Sequence, residues 1–231
     1  MTMVEKPILG TGLLAIWNGI DPDKENEFLR WHMSEHIPER LSIPGFIRAR
    51  RYRAVNAYPD FFNLYEVDAP EILTSTSYID RLNNPSDWTK KIVPFFKNTS
   101  RILCRVIESK GSGIGGYAYV IRLEKSSDII LELIDDLNTS LDVNAVHLME
   151  RFEEPAAFTS ESAMRSEPDG TSRTVLIIEG LSDQLLQNVI TEYASDNQFI
   201  ALCGVPPTSR GLYKIDFLMN APNQPNYGEK Q

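Results

Sequence analysis

Apolar residues recur along the first half of the chain in patterns that predict both strands and helices. The run GLLAIW at 12–17 is typical of a buried strand, because it is short, apolar and bounded by glycine and asparagine. The predicted elements of this half are a strand at 12–17, a helix at 21–36, strands at 46–53 and 60–67, a helix at 84–98 and a strand at 101–107. This order is the βαββαβ unit of ferredoxin-like folds.

The same order of patterns returns after the glycine-rich segment GSGIGG at 111–116. The predicted elements there are a strand at 117–123, a helix at 127–137 capped by Ser127, strands at 145–152 and 173–179, a helix at 182–193 and a strand at 211–219. GSGIGG lacks the lysine and serine of a phosphate-binding loop and precedes a strand, so it is interpreted as a hinge.

The two halves together predict an α+β protein of two tandem ferredoxin-like units. The predicted boundaries are 10–110 for the first unit, 111–116 for the hinge, 117–220 for a degenerate second unit and 221–231 for a flexible tail. Each four-stranded antiparallel sheet leaves one face bare. The two sheets can bury these faces against each other and form an α+β barrel within one chain.

The helix at 21–36 carries two of the three histidines of the protein. Pro38 restrains the residue before it to an extended conformation, so we expect the helix to end near His36. Phe28, His32 and His36 are spaced four residues apart and lie on the apolar stripe of the helix. Both imidazoles are therefore predicted to face the protein or the rim of a cavity.

The strand that follows this helix is rich in arginine. Alternation places Phe46, Arg48, Arg50 and Tyr52 on one face. Arginine binds carboxylates through two parallel hydrogen bonds and aromatic rings stack, so this face suits an anionic, planar ligand. The alternative is that these arginines form ion pairs with carboxylates of the protein itself.

Composition narrows the class of protein. The 231 residues carry a net charge of −9, which argues against nucleic acid as a partner, since its binding depends on a basic surface. The chain shows no basic segment followed by an apolar run at its start and no apolar stretch long enough for a membrane span, so a cytoplasmic protein without membrane contact is expected. Cys104 and Cys203 are isolated in apolar surroundings and are predicted to be reduced thiols.

The segment HMSEH contains the H-x-x-E-H pattern of some zinc peptidases. The predicted helix breaks directly after it, and no later helix offers an obvious third ligand. We therefore predict no metal at His32 and His36, and no haem or other cofactor.

Acid–base chemistry is the stronger interpretation of this segment. We predict that His36 moves a proton on the substrate and that Glu35 or His32 orients it, since the end of a helix and nearby carboxylates would keep its titration close to neutral pH. Arg48 and Arg50 are predicted to hold a carboxylate or enolate. The residues predicted to line the cavity are Trp31, Tyr52, Asn63 and Tyr65. The alternative is structural, with His36 capping its own helix and His32 packed under Phe28.

Two segments, WHMSEHIPERLSIPGFIRARRY and YIDRLNNPSDWTKKIVPFFKNTSR, resemble the EthD-like branch of the dimeric α+β barrel superfamily. The resemblance extends over about residues 10–108. It implies a relation to cofactor-free monooxygenases, muconolactone isomerases, lyases and decarboxylases of small aromatic or lactone compounds, and to haem enzymes. It also implies that His36 lines a pocket, as a histidine at the end of the first helix does in such proteins. Members are usually dimers of single units, so a tandem chain is a departure, and a homodimer of it is possible.

The expected function is a cofactor-independent lyase, isomerase or decarboxylase that acts on a small anionic or aromatic substrate. The alternatives are a non-catalytic binding or accessory protein and a cofactor-free monooxygenase. The second half has no counterpart of HMSEHIPER, so one site is expected, in the first half. In the second half, His147 is the one residue that could still contribute to the site. It lies in the strand that corresponds to the arginine-rich strand of the first half.

Overall fold

Antiparallel strands close into one barrel in this computed structural model, which describes residues 6–125, 129–152, 159–164 and 172–222. The strands are β1 (Gly12–Ile20), β2 (Phe46–Asn56), β3 (Phe61–Val67), β4 (Phe96–Gly111), β5 (Tyr117–Leu123), β6 (Ala145–Arg151), β7 (Thr174–Gly180) and β8 (Ser209–Asn220). Their order around the barrel is β1-β3-β2-β8-β5-β7-β6-β4.

The strand order confirms the predicted fold class. Within β1–β4 and again within β5–β8, the spatial order is fourth, first, third and second strand, as in a ferredoxin-like unit. The two sheets do more than pack face to face, because β2 pairs with β8 and β4 pairs with β6 along their edges. These pairings close the barrel and remove its exposed strand edges. The boundaries of the two units stay a prediction.

Helices cover the outside of the barrel. They are α1 (Glu25–Trp31), a π-helical turn (His32–His36), α2 (Ile37–Leu41), α3 (Thr76–Asn83), α4 (Asp87–Ile92), α5 (Ile129–Thr139), α6 (Ser160–Ala163), α7 (Asp183–Tyr193) and α8 (Asp196–Cys203). Within the described ranges, no helix is both long and apolar enough to cross a membrane.

Alternation along each strand divides the side chains between the barrel interior and the outer surface. Trp17, Phe62 and Tyr213 pack in the interior, together with residues from all eight strands. On the outer face of the first half, Tyr65 belongs to a cluster that includes Leu41 of α2. The molecule therefore has an interior core and separate cores under the helices.

Pro38 does not end the first helix, so the prediction that it stops near His36 is wrong. Ile37 has helical angles (φ −61°, ψ −49°), and the chain continues as α2 to Leu41. A proline ring would clash with the carbonyl four residues before it in a regular helix. Here the preceding π turn, in which the Ile37 N–H donates to the His32 carbonyl five residues back, widens the helix and accommodates the ring.

A β-bulge at the start of β2 changes the predicted arginine-rich face. Phe46 pairs with Val67 and Arg48 with Glu66, so two steps on β2 match one on β3. Phe46 therefore lies on the outer face, where its ring is 6.3 Å from that of Tyr65. The prediction that Phe46 shares a face with Arg48, Arg50 and Tyr52 is therefore wrong.

Other helices differ from the prediction in their limits. The segment predicted as one helix at 84–98 contains α4 followed by a 3-10 turn (Val93–Phe95). α4 begins after Ser86, whose side chain accepts a hydrogen bond from the Thr89 N–H. Phe96 already belongs to β4. α8 was not predicted. In α5, Ile130, Leu133, Ile134 and Leu137 are buried and form the face of the helix that packs against the sheet. The predicted cap Ser127 and most of the predicted tail lie outside the described residues.

Candidate functional site

One cavity lies on the outer face of the first-half strands, beneath the helical run from α1 to α2. Side chains of β1, β3 and β4 form its floor, and side chains of α1, the π turn, α3 and α6 form its walls. It offers ≈ 50 Å³ for the centres of water-sized molecules. That is several times the roughly 10–15 Å³ that a single water requires. Because α6 belongs to the connection between β6 and β7, a segment of the second half completes this cavity.

Aromatic rings form much of the cavity wall. Trp31 is buried, and its Nε1 donates to Thr89 Oγ1 at 3.2 Å, which fixes the plane of the indole. The Trp31 ring lies 4.3 Å from the His36 ring, and the Phe28 ring lies 5.2 Å from the His32 ring. Flat apolar walls with a few polar groups are typical of sites for small planar ligands.

His32 is held as a neutral imidazole whose Nε2 hydrogen points at Tyr65. Arg51 Nη1 lies 3.4 Å from His32 Nδ1. Since a guanidinium can only donate, Nδ1 accepts, and the ring hydrogen is on Nε2, which lies 3.2 Å from the Tyr65 hydroxyl. Burial, then the charges of Arg51 and Arg40, hold the pKa of His32 well below its usual value. The Tyr65 oxygen accepts from His32, so its own hydrogen can be donated to a third group.

His36 presents a ring nitrogen without a partner. Its Nδ1 is buried and forms no hydrogen bond with any described residue. Burial, then the charges of Arg40 and His32, lower the pKa of His36 well below its usual value. The prediction that a helix end and carboxylates keep its titration near neutral pH is therefore wrong, since the helix continues to Leu41 and burial and the Arg40 guanidinium both lower the pKa. A neutral imidazole of this kind can accept a proton at neutral pH.

Two further polar groups of the cavity lack partners among the described residues. Asn63 donates from Nδ2 to Asn18 Oδ1 at 2.9 Å, which leaves Asn63 Oδ1 unsatisfied. Thr99 Oγ1 is also buried and unsatisfied. Buried polar groups usually have partners, so such atoms are candidates for ligand contacts. The structure thus places Trp31, His32, His36, Asn63 and Tyr65, all predicted from sequence, around one cavity.

Glu35 does not orient either histidine. Its carboxylate accepts a hydrogen bond from the hydroxyl of Ser86, the residue that caps α4. No hydrogen bond joins Glu35 to His32 or His36 among the described residues. Its predicted catalytic role is therefore not supported by its position.

Arg48, Arg50 and Tyr52 lie on the other side of the sheet, inside the barrel. The prediction that they share a cavity with His36 is wrong. Arg48 and Arg50 both bind Glu66, at 2.7 Å and 2.6 Å. Arg50 Nη1 also donates to Tyr52 Oη at 3.1 Å. The alternative raised from the sequence, in which these arginines pair with carboxylates of the protein, is the one that the structure contains.

This interior network joins the two halves of the chain. Arg50 Nη1 reaches Glu179 Oε1 of β7 at 2.5 Å. Burial raises the pKa of Glu179, but Arg50, followed by His147 and a backbone N–H, outweighs it and lowers this pKa to about 2. His147 lies with its Nε2 3.3 Å from Glu179 and its Nδ1 2.9 Å from Ser109 Oγ. His147 therefore belongs to the interior network and does not reach the cavity.

Sequence reasoning missed the charged pair in the cavity, Arg40 and Glu161. Arg40 is 3% exposed and forms an ion pair with Glu161 of α6. The stripe of Phe28, His32 and His36 continues to position 40, so the signal was present, but the assumed break at Pro38 concealed it. Glu161 carries no comparable pattern in the sequence.

Among the described residues, no group of three or more histidine, cysteine, aspartate or glutamate side chains is arranged to hold a metal ion. The H-x-x-E-H segment contributes two stacked imidazoles whose ring centroids are 5.5 Å apart. Its glutamate points to Ser86.

Comparison with solved structures places the fold among α+β barrels. An anthrone oxidase-like protein matches with a TM-score of 0.61 at 10% identity, over 94% of this chain and 96% of that one. A candidate monooxygenase from Fusobacterium nucleatum matches with a TM-score of 0.54 at 10% identity, over 92% and 96%. A haem-binding protein from Thermus thermophilus matches with a TM-score of 0.50 at 9% identity, over 89% and 91%. No family model and no curated protein matches this sequence.

These likenesses show that the fold of the chain is that of an α+β barrel. The superfamily expected from the sequence stays a prediction. The EthD-like branch and the origin by tandem fusion stay predictions.

Proposed function

We propose that the protein is an enzyme that removes a proton from a small, planar aromatic or lactone substrate without a metal or organic cofactor. His36 is the base, and the Tyr65 hydroxyl stabilises the oxyanion that develops on the substrate. The observation that carries this proposal is the buried, neutral His36 in an aromatic-walled cavity, whose Nδ1 has no hydrogen-bond partner among the described residues.

Burial and Arg40 make His36 a weak base while the cavity is empty. Proton transfer from a neutral substrate creates an anion beside the new imidazolium, and this opposite charge favours the protonated ring. The buried position of the ring strengthens that attraction, because the effective dielectric constant is lower there than in water. The site therefore suits substrates whose negative charge appears during the reaction.

Hydrogen bonds from neighbouring side chains hold the Tyr65 hydroxyl in place. Arg51 fixes the tautomer of His32, and His32 donates to the Tyr65 oxygen. Burial is the main cause that raises the pKa of Tyr65, so the hydroxyl keeps its proton. A donor held in this way contributes to an oxyanion hole without reorganisation during the reaction.

The anion has three possible fates, which define the reaction type. Reprotonation at another carbon gives an isomerase, and loss of a leaving group gives a lyase. Electron transfer from the carbanion to O₂ gives a cofactor-free oxygenase, a second candidate favoured by the names of the two structural neighbours with the higher TM-scores.

Hydrogen–deuterium exchange tests proton removal separately from these fates. Anthrone and an unsaturated γ-lactone are incubated with the protein in D₂O without oxygen, and loss of the acidic C–H signal is followed by NMR. We expect exchange above the protein-free rate, and His36→Ala should slow it by roughly 10²–10⁴-fold. The matched control is Met33→Ala, which changes an exposed residue of the same π turn. In this variant, substrate exchange should proceed at the wild-type rate.

The remaining outcomes separate the alternatives. Uptake of O₂ with the same probes, lost in His36→Ala, would identify the oxygenase. Binding of the probes without exchange or oxygen uptake would contradict the proposal and favour a non-catalytic binding protein.

A further inference from the structure

We propose that Arg40 is the anion-recognition residue of the cavity and that Glu161 is an internal carboxylate which a ligand anion replaces. This inference rests on the proposed function only for the choice of the cavity as the site. It assigns to the site a substrate class, namely planar molecules that carry or develop a negative oxygen.

The position of Arg40 is the first observation. Arg40 is 3% exposed, lines the cavity, and lies one helical turn after His36 on the same stripe. Arg40 lines the same cavity as His32 and His36, and its charge lowers the pKa of both imidazoles. A buried guanidinium requires an anion, and the two neutral histidines cannot supply one.

Glu161 supplies that anion from the second half of the chain. Among the described residues, it is the carboxylate that pairs with Arg40, and no other described lining residue of the cavity is acidic. Glu161 is 20% exposed, unlike its partner. It can therefore turn towards solvent when released, whereas Arg40 cannot leave the cavity.

The contrast with the interior arginines supports the same assignment. Arg50 is bound by two carboxylates, Glu66 and Glu179, that are both inaccessible to solvent, so no ligand can replace them. Arg40 has a carboxylate partner at the solvent side of a cavity. Of these two buried arginines, Arg40 is the one that a ligand can reach.

Competition between Glu161 and a ligand carboxylate predicts the effect of neutralising Glu161. Glu161→Gln keeps the size of the side chain and removes the competing charge. Benzoate should then bind roughly tenfold more tightly or better, since a charge-assisted hydrogen bond to Arg40 becomes available. Benzamide, its neutral counterpart of the same shape, should bind with unchanged affinity.

Calorimetric titration of benzoate and benzamide into the full chain tests the proposal. We expect wild type to prefer benzoate weakly, Glu161→Gln to prefer it strongly, and Arg40→Gln to show no preference. The proposal would be overturned if the ratio of benzoate affinity to benzamide affinity were the same in Glu161→Gln as in wild type. It would also be overturned if neither ligand bound to wild type or to Glu161→Gln. Glu161 is partly exposed, so its variant should fold even where Arg40→Gln does not, and circular dichroism checks both.

Binding and proton exchange fail independently. If His36→Ala leaves exchange unchanged but Glu161→Gln raises the benzoate preference, the proposed base is wrong and the anion site stands. If His36→Ala slows exchange but Glu161→Gln leaves the benzoate preference unchanged, the proposed base stands and the anion site is wrong.

Discussion

The two faces of the first-half sheet hold polar groups in opposite states. Inside the barrel, Arg48 and Arg50 are matched by Glu66 and Glu179, and these charges form one buried network. On the outer face, the cavity contains neutral imidazoles, and the Nδ1 atom of His36 has no hydrogen-bond partner among the described residues. Both faces are buried, but among the described residues of the first half the unsatisfied atoms of His36, Asn63 and Thr99 lie on the outer face, around the cavity.

This difference separates structural from functional burial. A network whose arginines and carboxylates are paired leaves little for a ligand to bind, whereas an unsatisfied acceptor in a cavity is retained at a cost in stability. Residues of the interior should therefore affect stability, and residues of the cavity should affect chemistry. The following predictions test that division.

The largest expected effect is the loss of Arg50. Arg50→Met leaves Glu66 and Glu179 without one of their main charge partners inside the barrel and should lower the free energy of unfolding by about 3–5 kcal/mol. Urea denaturation measures it. Arg53→Met, on the same strand but 42% exposed and paired with the exposed Glu25, should cost only about 0.2–1 kcal/mol. Equal losses in the two variants would remove the distinction between the faces.

Tyr65→Phe should impair chemistry with little change in stability. It removes the proposed oxyanion donor and should slow substrate deuterium exchange by roughly 10²-fold. Tyr52→Phe is the matched control, because Tyr52 contacts Arg50 on the interior face of the same sheet. Slower exchange in Tyr52→Phe than in Tyr65→Phe would indicate that the chemistry takes place inside the barrel, and would contradict the assignment of the cavity on the outer face as the site.

Acid should destabilise the protein in two steps. The pKa values of His32 and His36 are lowered in the folded state, so the unfolded chain takes up more protons below pH 6.5, and stability falls as the pH falls through that range. Each unit by which the pKa of a group differs between the folded and unfolded states changes the free energy of unfolding by about 1.4 kcal/mol. Glu179, with its pKa lowered from 4.5 to about 2, adds a second loss below pH 4.5.

Unfolding free energies across this pH range identify the groups involved. His36→Gln should reduce the first step and leave the second unchanged. A stability that does not change on crossing pH 6.5 in the wild type would contradict the neutral, buried state of the cavity histidines.

The smallest effect concerns the two thiols. Cys104 is buried in the barrel interior, and burial raises the pKa of its thiol to about 12, so it should not react with a disulfide reagent in the native protein. Cys203 is partly exposed and should react slowly. When the reagent is added, the absorbance should correspond to one reactive thiol in the native protein and to two after unfolding in urea. Early reaction of Cys104 would indicate an interior that opens to solvent.

Local patterns were sufficient for the strand order and for five residues of the cavity. Periodicity placed His32 and His36 on a buried stripe, and alternation placed Asn63 and Tyr65 on one face of β3. The same rules failed at Pro38, because a π turn widened the helix and the run continued to Arg40. They also failed at the start of β2, where a bulge moved Phe46 to the outer face.

The sequence by itself determined the fold class, the buried histidine stripe and the presence of several arginines that required anionic partners. Only the tertiary structure decided which carboxylate each arginine found and which face of the sheet contained the cavity. Periodicity is a local property, fixed by backbone geometry within a few residues. The pairs of Arg50 with Glu179 and of Arg40 with Glu161 join residues more than a hundred positions apart, so they exist only once the barrel has closed and the second half lies against the first.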